Sequence, residues 1–163
     1  MNQPVDQHQP MARLQRIVSG GQTGVDRAAL DLAIARGLPH GGWCPSGRRA
    51  ADGPLPSRYQ LRETASTGYR QRTRANVADS DGTLIIYSGT LTGGSLLTDA
   101  FTRKLGKPGF LWSLQGDAVA QQAAFYAWLT SHSIRVLNIA GPSDTSCPGI
   151  YEQAFDLLEW LWQ

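Results

Sequence analysis

Three glycine-rich turns, each set between a short apolar run and a helical pattern, constrain this chain more than any other feature. The first is Ser19-Gly20-Gly21-Gln22-Thr23-Gly24, which follows Ile17-Val18 and leads into an amphipathic stretch, 25–35. The second spans residues 88–95 and the third 140–143. A strand that ends in glycines and feeds a helix bares backbone N–H groups at the positive end of the helix dipole. That setting suits an anion, phosphate above all.

Hydrophobic periodicity predicts a repeating order of strand then helix. Strands are expected at 15–19, 40–43, 59–63, 82–87, 109–112 and 134–139, and helices at 24–36, 69–80, 93–105, 117–131 and 148–162. Asp117 is the expected N-cap of its helix and Pro148 is expected in the first turn of the last one. This alternation argues for an α/β fold, a three-layer α/β/α arrangement with a mainly parallel central sheet. Ligands of such sheets bind beyond the carboxyl ends of the strands, so all three turns are expected on one edge.

With 163 residues, 41% hydrophobic and 17% charged, the chain fits one domain with a self-sufficient core. Residues 1–13 are polar and read as a disordered tail, leaving 14–163 as the single domain. No apolar run is long enough to span a bilayer, and no secretory leader is evident. Cys44 and Cys147 lie far apart with no ligand-type spacing, so no metal site is expected and a cytoplasmic location is. The net charge of +2 hides an asymmetry: seven arginines and two acids between residues 48 and 74 leave that segment at +5. Thirteen of the 15 basic residues are arginine, the side chain suited to bidentate phosphate contacts.

The first turn lacks the Gly-Lys-Ser/Thr of a P-loop and the Gly-x-Gly-x-x-Gly spacing of the dinucleotide fingerprint. Thr23 is positioned to cap the following helix, and Gln22 to bond a ligand amide or hydroxyl. Asp26 suits the positive end of the helix dipole, whereas Arg27 opposes it, which hints at an anion nearby. In the second turn Thr92, Gly93, Gly94 and Ser95 offer N–H and hydroxyl donors, and Gly141 can close one wall of a pocket. The proline-rich loop 44–58 brings Arg48 and Arg49. Among carboxylates Glu63, beside the arginine segment, is the candidate general acid or base.

The strings SGGQTGVDRAALDLA, GGWCPSGRRAADG, TGYRQRTRANVADSDGTLI, LTGGSLLT and NIAGPSDTSCPGIYE resemble, together and in order, the circularly permuted YpsA-type branch of the SLOG superfamily. Members of that branch are labelled molybdenum carriers. The resemblance implies a Rossmann-like fold, a nucleotide or the molybdenum cofactor as ligand, and a site at Gly20, Gly21, Thr23, Gly24, Arg48, Arg49, Gly93, Gly94 and Ser95. A related branch, the phosphoribohydrolases, carries Pro-Gly-Gly-x-Gly-Thr-x-x-Glu. Aligned on Gly93-Gly94, this chain has Leu96-Leu97 in place of Gly-Thr and Ala100 in place of the catalytic Glu, with Asp99 one residue away.

The expectation is a binding or carrier protein for a phosphorylated small molecule of nucleotide or molybdopterin type, with catalysis disfavoured. The alternative is a nucleotide-processing hydrolase of the phosphoribohydrolase type. Nucleic-acid binding ranks last, because the net charge is small and no basic stripe is interleaved with aromatics. Tyr151, Trp160 and Trp162 on the last helix point to a homo-oligomer.

Overall fold

The computed structural model describes residues 9–163. Five parallel strands form the central sheet: β1 (Arg16–Val18), β2 (His40–Gly41), β5 (Gly82–Tyr87), β6 (Gly109–Ser113) and β7 (Val136–Ala140). Their spatial order is β2-β1-β7-β5-β6, and a separate parallel pair joins β3 (Trp43–Cys44) to β4 (Arg62–Glu63). Counted as though the chain began at β7, the order becomes 3-2-1-4-5, that of the doubly wound dinucleotide folds. The strand that opens such folds here closes the chain, and it is inserted between β1 and β5. This is a Rossmann-like, three-layer α/β/α architecture.

Strand side chains alternate between two faces of the sheet. Ile17, Leu84, Ile86, Trp112, Leu137 and Ile139 join the main core with α2 (Val25–Ala35), α5 (Ala118–Ser131) and α6 (Ile150–Leu161). The intervening positions, among them Thr83, Ile85 and Asn138, are equally buried but take no part in that core. α3 (Tyr69–Ala78) and α4 (Gly93–Lys104) pack on each other and form the remaining layer.

Most expected elements form within a residue or two of their places. Asp117 caps α5, accepting from the Ala120 N–H at 3.0 Å. The stretch at 40–43 instead splits into β2 and β3, because the chain leaves the main sheet after Gly41 and pairs with β4. The expected strand at 59–63 shortens to Arg62–Glu63 because Tyr59 lies in a turn, its carbonyl accepting from Leu61 N. Pro148 precedes α6, whose N-cap is a left-handed Gly149.

Part of the segment 1–13, expected as a tail, is packed on the core. Residues 1–8 lie outside the described residues, but Gln9–Ala12 form a helical turn, α1, and Met11 is buried in the main core. Trp160, Trp162 and Tyr151 also pack, partly buried, on that core, with Trp160 edge-on to Trp112 at 6.4 Å. Among the described residues no helix is long and apolar enough to cross a membrane.

Candidate functional site

The carboxyl ends of β1, β7 and β5 open into a cleft of ≈ 270 Å³ at the point where the strand order reverses. All three glycine-rich turns reach it: Gly20 and Gln22 from the first, Thr92 to Ser95 from the second, Gly141 to Ser143 from the third. α3 supplies the outer wall with Tyr69, Arg72, Thr73 and Asn76, and Asn138 on β7 lies in its floor.

Anion-binding capacity is concentrated at the second turn. The N-cap of α4, Thr92, has extended backbone and makes no side-chain cap. The first N–H groups of a helix have no intrahelical partner, and no group among the described residues takes those of Gly93, Gly94 and Ser95. Ser95 is 3% exposed, yet its Oγ has no hydrogen-bond partner. A buried hydroxyl without a partner is costly, and Ser95 lines the cleft.

The first turn is different in part, because the protein consumes several of its donors, while the N–H groups of Gly20, Gly21 and Gly24 meet no acceptor among the described residues. Val25 N bonds the Pro142 carbonyl at 3.2 Å, Arg27 N bonds the Gln22 carbonyl at 3.0 Å, and Thr23 N bonds Gln22 Oε1 at 2.9 Å. Gln22 N donates to the Asp26 carboxylate at 3.3 Å. Thr23 does not cap α2; its Oγ1 has no partner and it faces a second, shallower cleft with Gly24 and Arg27. Gly21 adjoins neither cleft; its carbonyl holds Arg27.

Nor do the arginines singled out in the sequence enter the main cleft. Arg27 turns back onto Asp52, with two contacts of 3.0 Å, so the anion that its placement called for is a carboxylate of the same chain. Burial alone would lower its pKa, but the bond and charge of Asp52 outweigh this and raise it. Arg48 clamps its own loop, donating to the carbonyls of Leu55, Pro56, Tyr59 and Leu61 at 2.6 to 3.3 Å. Arg49 bonds the Thr67 carbonyl and stacks on Tyr69. Glu63 is exposed and accepts from Gly47 N at 2.6 Å, outside the cleft. Cys44 is fully buried, and burial raises its thiol pKa; neither it nor Cys147 lines the cleft.

An Arg48→Met variant is expected to lose about 2–3 kcal/mol of stability, since bonds from a charged donor are worth roughly 1.5–3 kcal/mol and several carbonyls lose theirs together. Urea denaturation measures this, and faster proteolysis within 45–61 should accompany it.

The charged pair that does occupy the cleft is Arg72 with Asp26. Arg72 is 8% exposed, bonds the Gly20 carbonyl at 2.8 Å through Nη1 and lies 3.8 Å from Asp26. Burial pushes the Asp26 carboxyl up, against the opposing pull of the Arg72 charge and of the hydrogen bond from Gln22 N. In the sequence Arg72 stands out only as one of the seven arginines between residues 48 and 74. Its signal was helical spacing, because Arg72 and Asn76 lie one turn apart on the buried face of an otherwise polar α3. Among the described residues no group of three or more His, Cys, Asp or Glu is placed to hold a metal ion.

Comparisons with known proteins agree with this architecture. The family model described as "Circularly permutated YpsA SLOG family" matches residues 17–162. The crystal structure of the "Putative molybdenum carrier protein" from Syntrophus aciditrophicus SB is 47% identical, covers 93% of this chain and 96% of its own, and superposes with a TM-score of 0.90. No curated protein matches. In this sheet the strand that opens doubly wound folds stands last in chain order, and the chain belongs to the circularly permutated YpsA SLOG family.

Proposed function

We propose that the cleft binds a phosphorylated small molecule of nucleotide or molybdopterin type and holds it without turning it over. The observation that carries this reading is the unpartnered, buried Ser95 hydroxyl beside three free N–H groups at the start of α4. Arg72 adds a positive charge at the same cleft. The name borne by the Syntrophus protein is compatible with a ligand that carries an oxyanion.

Gly94 supplies a test. A Cβ built there meets nothing within 4 Å and its φ is not left-handed, so the protein itself does not require glycine. A phosphate resting on the backbone would. Thermal unfolding is to be followed with inorganic phosphate, AMP or molybdate. A ligand at 100 times its Kd should raise Tm by about 5–10 °C. Gly94→Ala should abolish that rise while leaving the unliganded Tm unchanged or slightly higher, as alanine is the better helix former. No rise with any of the three at millimolar concentration would sink the reading.

The hydrolytic alternative now leans on Asp26 rather than Glu63. A buried carboxyl of raised pKa at the cleft wall is the kind of group that serves as a general acid. Incubation with AMP separates the two readings, since carriage leaves it intact and hydrolysis releases ribose 5-phosphate.

A further inference from the structure

Asp26 is the one carboxylate among the described residues that line the main cleft, and it is loosely paired. It is 6% exposed, and its Oδ2 accepts from Gln22 N at a long 3.3 Å. Arg72 Nη1 stands 3.8 Å from that oxygen, beyond hydrogen-bond reach, while the same nitrogen donates to the Gly20 carbonyl at 2.8 Å. A buried carboxylate with so distant a partner holds a proton more readily than one in water.

Few charges face it. On α3, Arg72 is the nearest, and Tyr69 is the remaining titratable side chain in the lining. Arg27, its neighbour on α2, is paired with Asp52. β7, α4 and the third turn line the cleft with no titratable group. Arg72 and an ionised Asp26 therefore cancel, and the lining as a whole is neutral.

An anion on the α4 turn upsets this balance. α2 follows β1, α4 follows β5, and β7 lies between them. Two inter-strand spacings, about 10 Å, thus separate that turn from Asp26. Across such a distance, in an effective dielectric of ~20, two unit negative charges repel enough to weaken binding about tenfold. A proton on Asp26 removes the repulsion and leaves the charge of Arg72 to the anion.

We propose that anion binding in the cleft is coupled to the uptake of one proton by Asp26, so that this carboxyl tightens the hold as pH falls and loosens it as pH rises. This rests on the reading of the α4 turn as the phosphate seat.

Titration calorimetry of the full chain with inorganic phosphate, between pH 8 and pH 4, tests it against Asp26→Asn, which removes the charge and keeps the shape. At pH 8 the variant is expected to bind phosphate about tenfold tighter than the unmodified protein. The ratio should fall towards one as the pH is lowered and Asp26 takes up its proton. Phosphate changes its own charge over this range, but equally for both proteins, so the ratio reports Asp26. A ratio that does not move with pH, or a variant that binds no tighter at pH 8, overturns the coupling and leaves the phosphate seat standing. If neither protein binds phosphate, the seat and the coupling fall together. Should Asp26→Asn not fold, the Asp26 carboxyl carbon is followed by NMR in the unmodified protein. Its titration midpoint is expected about one pH unit higher in saturating phosphate, the same tenfold seen from the proton's side. An unchanged midpoint overturns the coupling.

Discussion

An Arg72→Met variant is expected to lose about 3–5 kcal/mol of stability at pH 8, the range typical when one partner of a buried ion pair is removed. Three losses combine in it. The Gly20 carbonyl loses its 2.8 Å donor, the Tyr69 ring loses the guanidinium stacked 5.0 Å from its centroid, and Asp26 loses its nearest positive charge. The last dominates, because Asp26 is 6% exposed and cannot turn to solvent.

The pH dependence carries the signature. Burial already raises the Asp26 carboxyl in the folded protein, and Arg72 is the foremost influence holding it down. A carboxyl raised by folding favours the folded state at pH below its unfolded pKa, and this contribution is lost as pH rises through the folded pKa. Removing Arg72 moves the folded value higher still. The variant's deficit should therefore be largest at pH 8 and shrink towards pH 4, where Asp26 takes up a proton and no longer needs a partner. Urea denaturation across that range checks it; a deficit independent of pH would show that packing, not the Asp26 charge, sets the cost. Phosphate affinity should fall in the same variant, measured by calorimetry.

The second large effect belongs to Gly24→Ala. Gly24 sits at φ 85° and ψ −132°, a region open essentially to glycine alone, and a Cβ there would clash with the Pro142 carbonyl oxygen. That contact is with backbone, so no side-chain rotation relieves it. Backbone strain of roughly 1–3 kcal/mol adds to the displacement of the third turn, for an expected loss of about 3–5 kcal/mol. The same shift breaks the bond from Val25 N to Pro142, which ties the start of α2 to the third turn. Chemical denaturation measures the loss. Paired with Gly94→Ala, the experiment separates a glycine that the fold requires from one that it does not.

Much of the architecture was legible in the chain. The continuous apolar run of β5 reads as a buried strand because a parallel strand is covered on both faces. The helix starts at Val25, Gly93 and Ala118 were legible because their signals are local: a glycine turn or a capping Asp117 followed by 3.6-residue periodicity. The second turn kept its predicted donors for the same reason, since the first N–H groups of a helix are unpaired wherever it packs.

Side-chain destinations were not legible. Arg27, Arg48, Arg49 and Arg72 carry the same group and the same charge, and the one local signal, the helical spacing of Arg72 with Asn76, marks a buried face but not the partner it meets. Arg48 finds its carbonyls within 13 residues, whereas Arg72 meets Gly20 across 52. Glu63 was singled out for lying near arginines in sequence, but β4 pairs with β3 in the small sheet and carries it away from the cleft. Likewise one donor of the first turn, Val25 N, is taken by Pro142, which approaches because the last strand, β7, lies beside the first.

The sequence by itself determined the alternation of strand and helix, the parallel sheet that follows from it, and the gathering of three glycine turns on one edge, because propensity, periodicity and chirality act over a few residues. Only the tertiary structure decided which donors of each turn stay free and which arginine enters the cleft, because the Arg72–Gly20 bond joins segments 52 residues apart and Pro142 reaches Val25 N only where β7 lies beside β1.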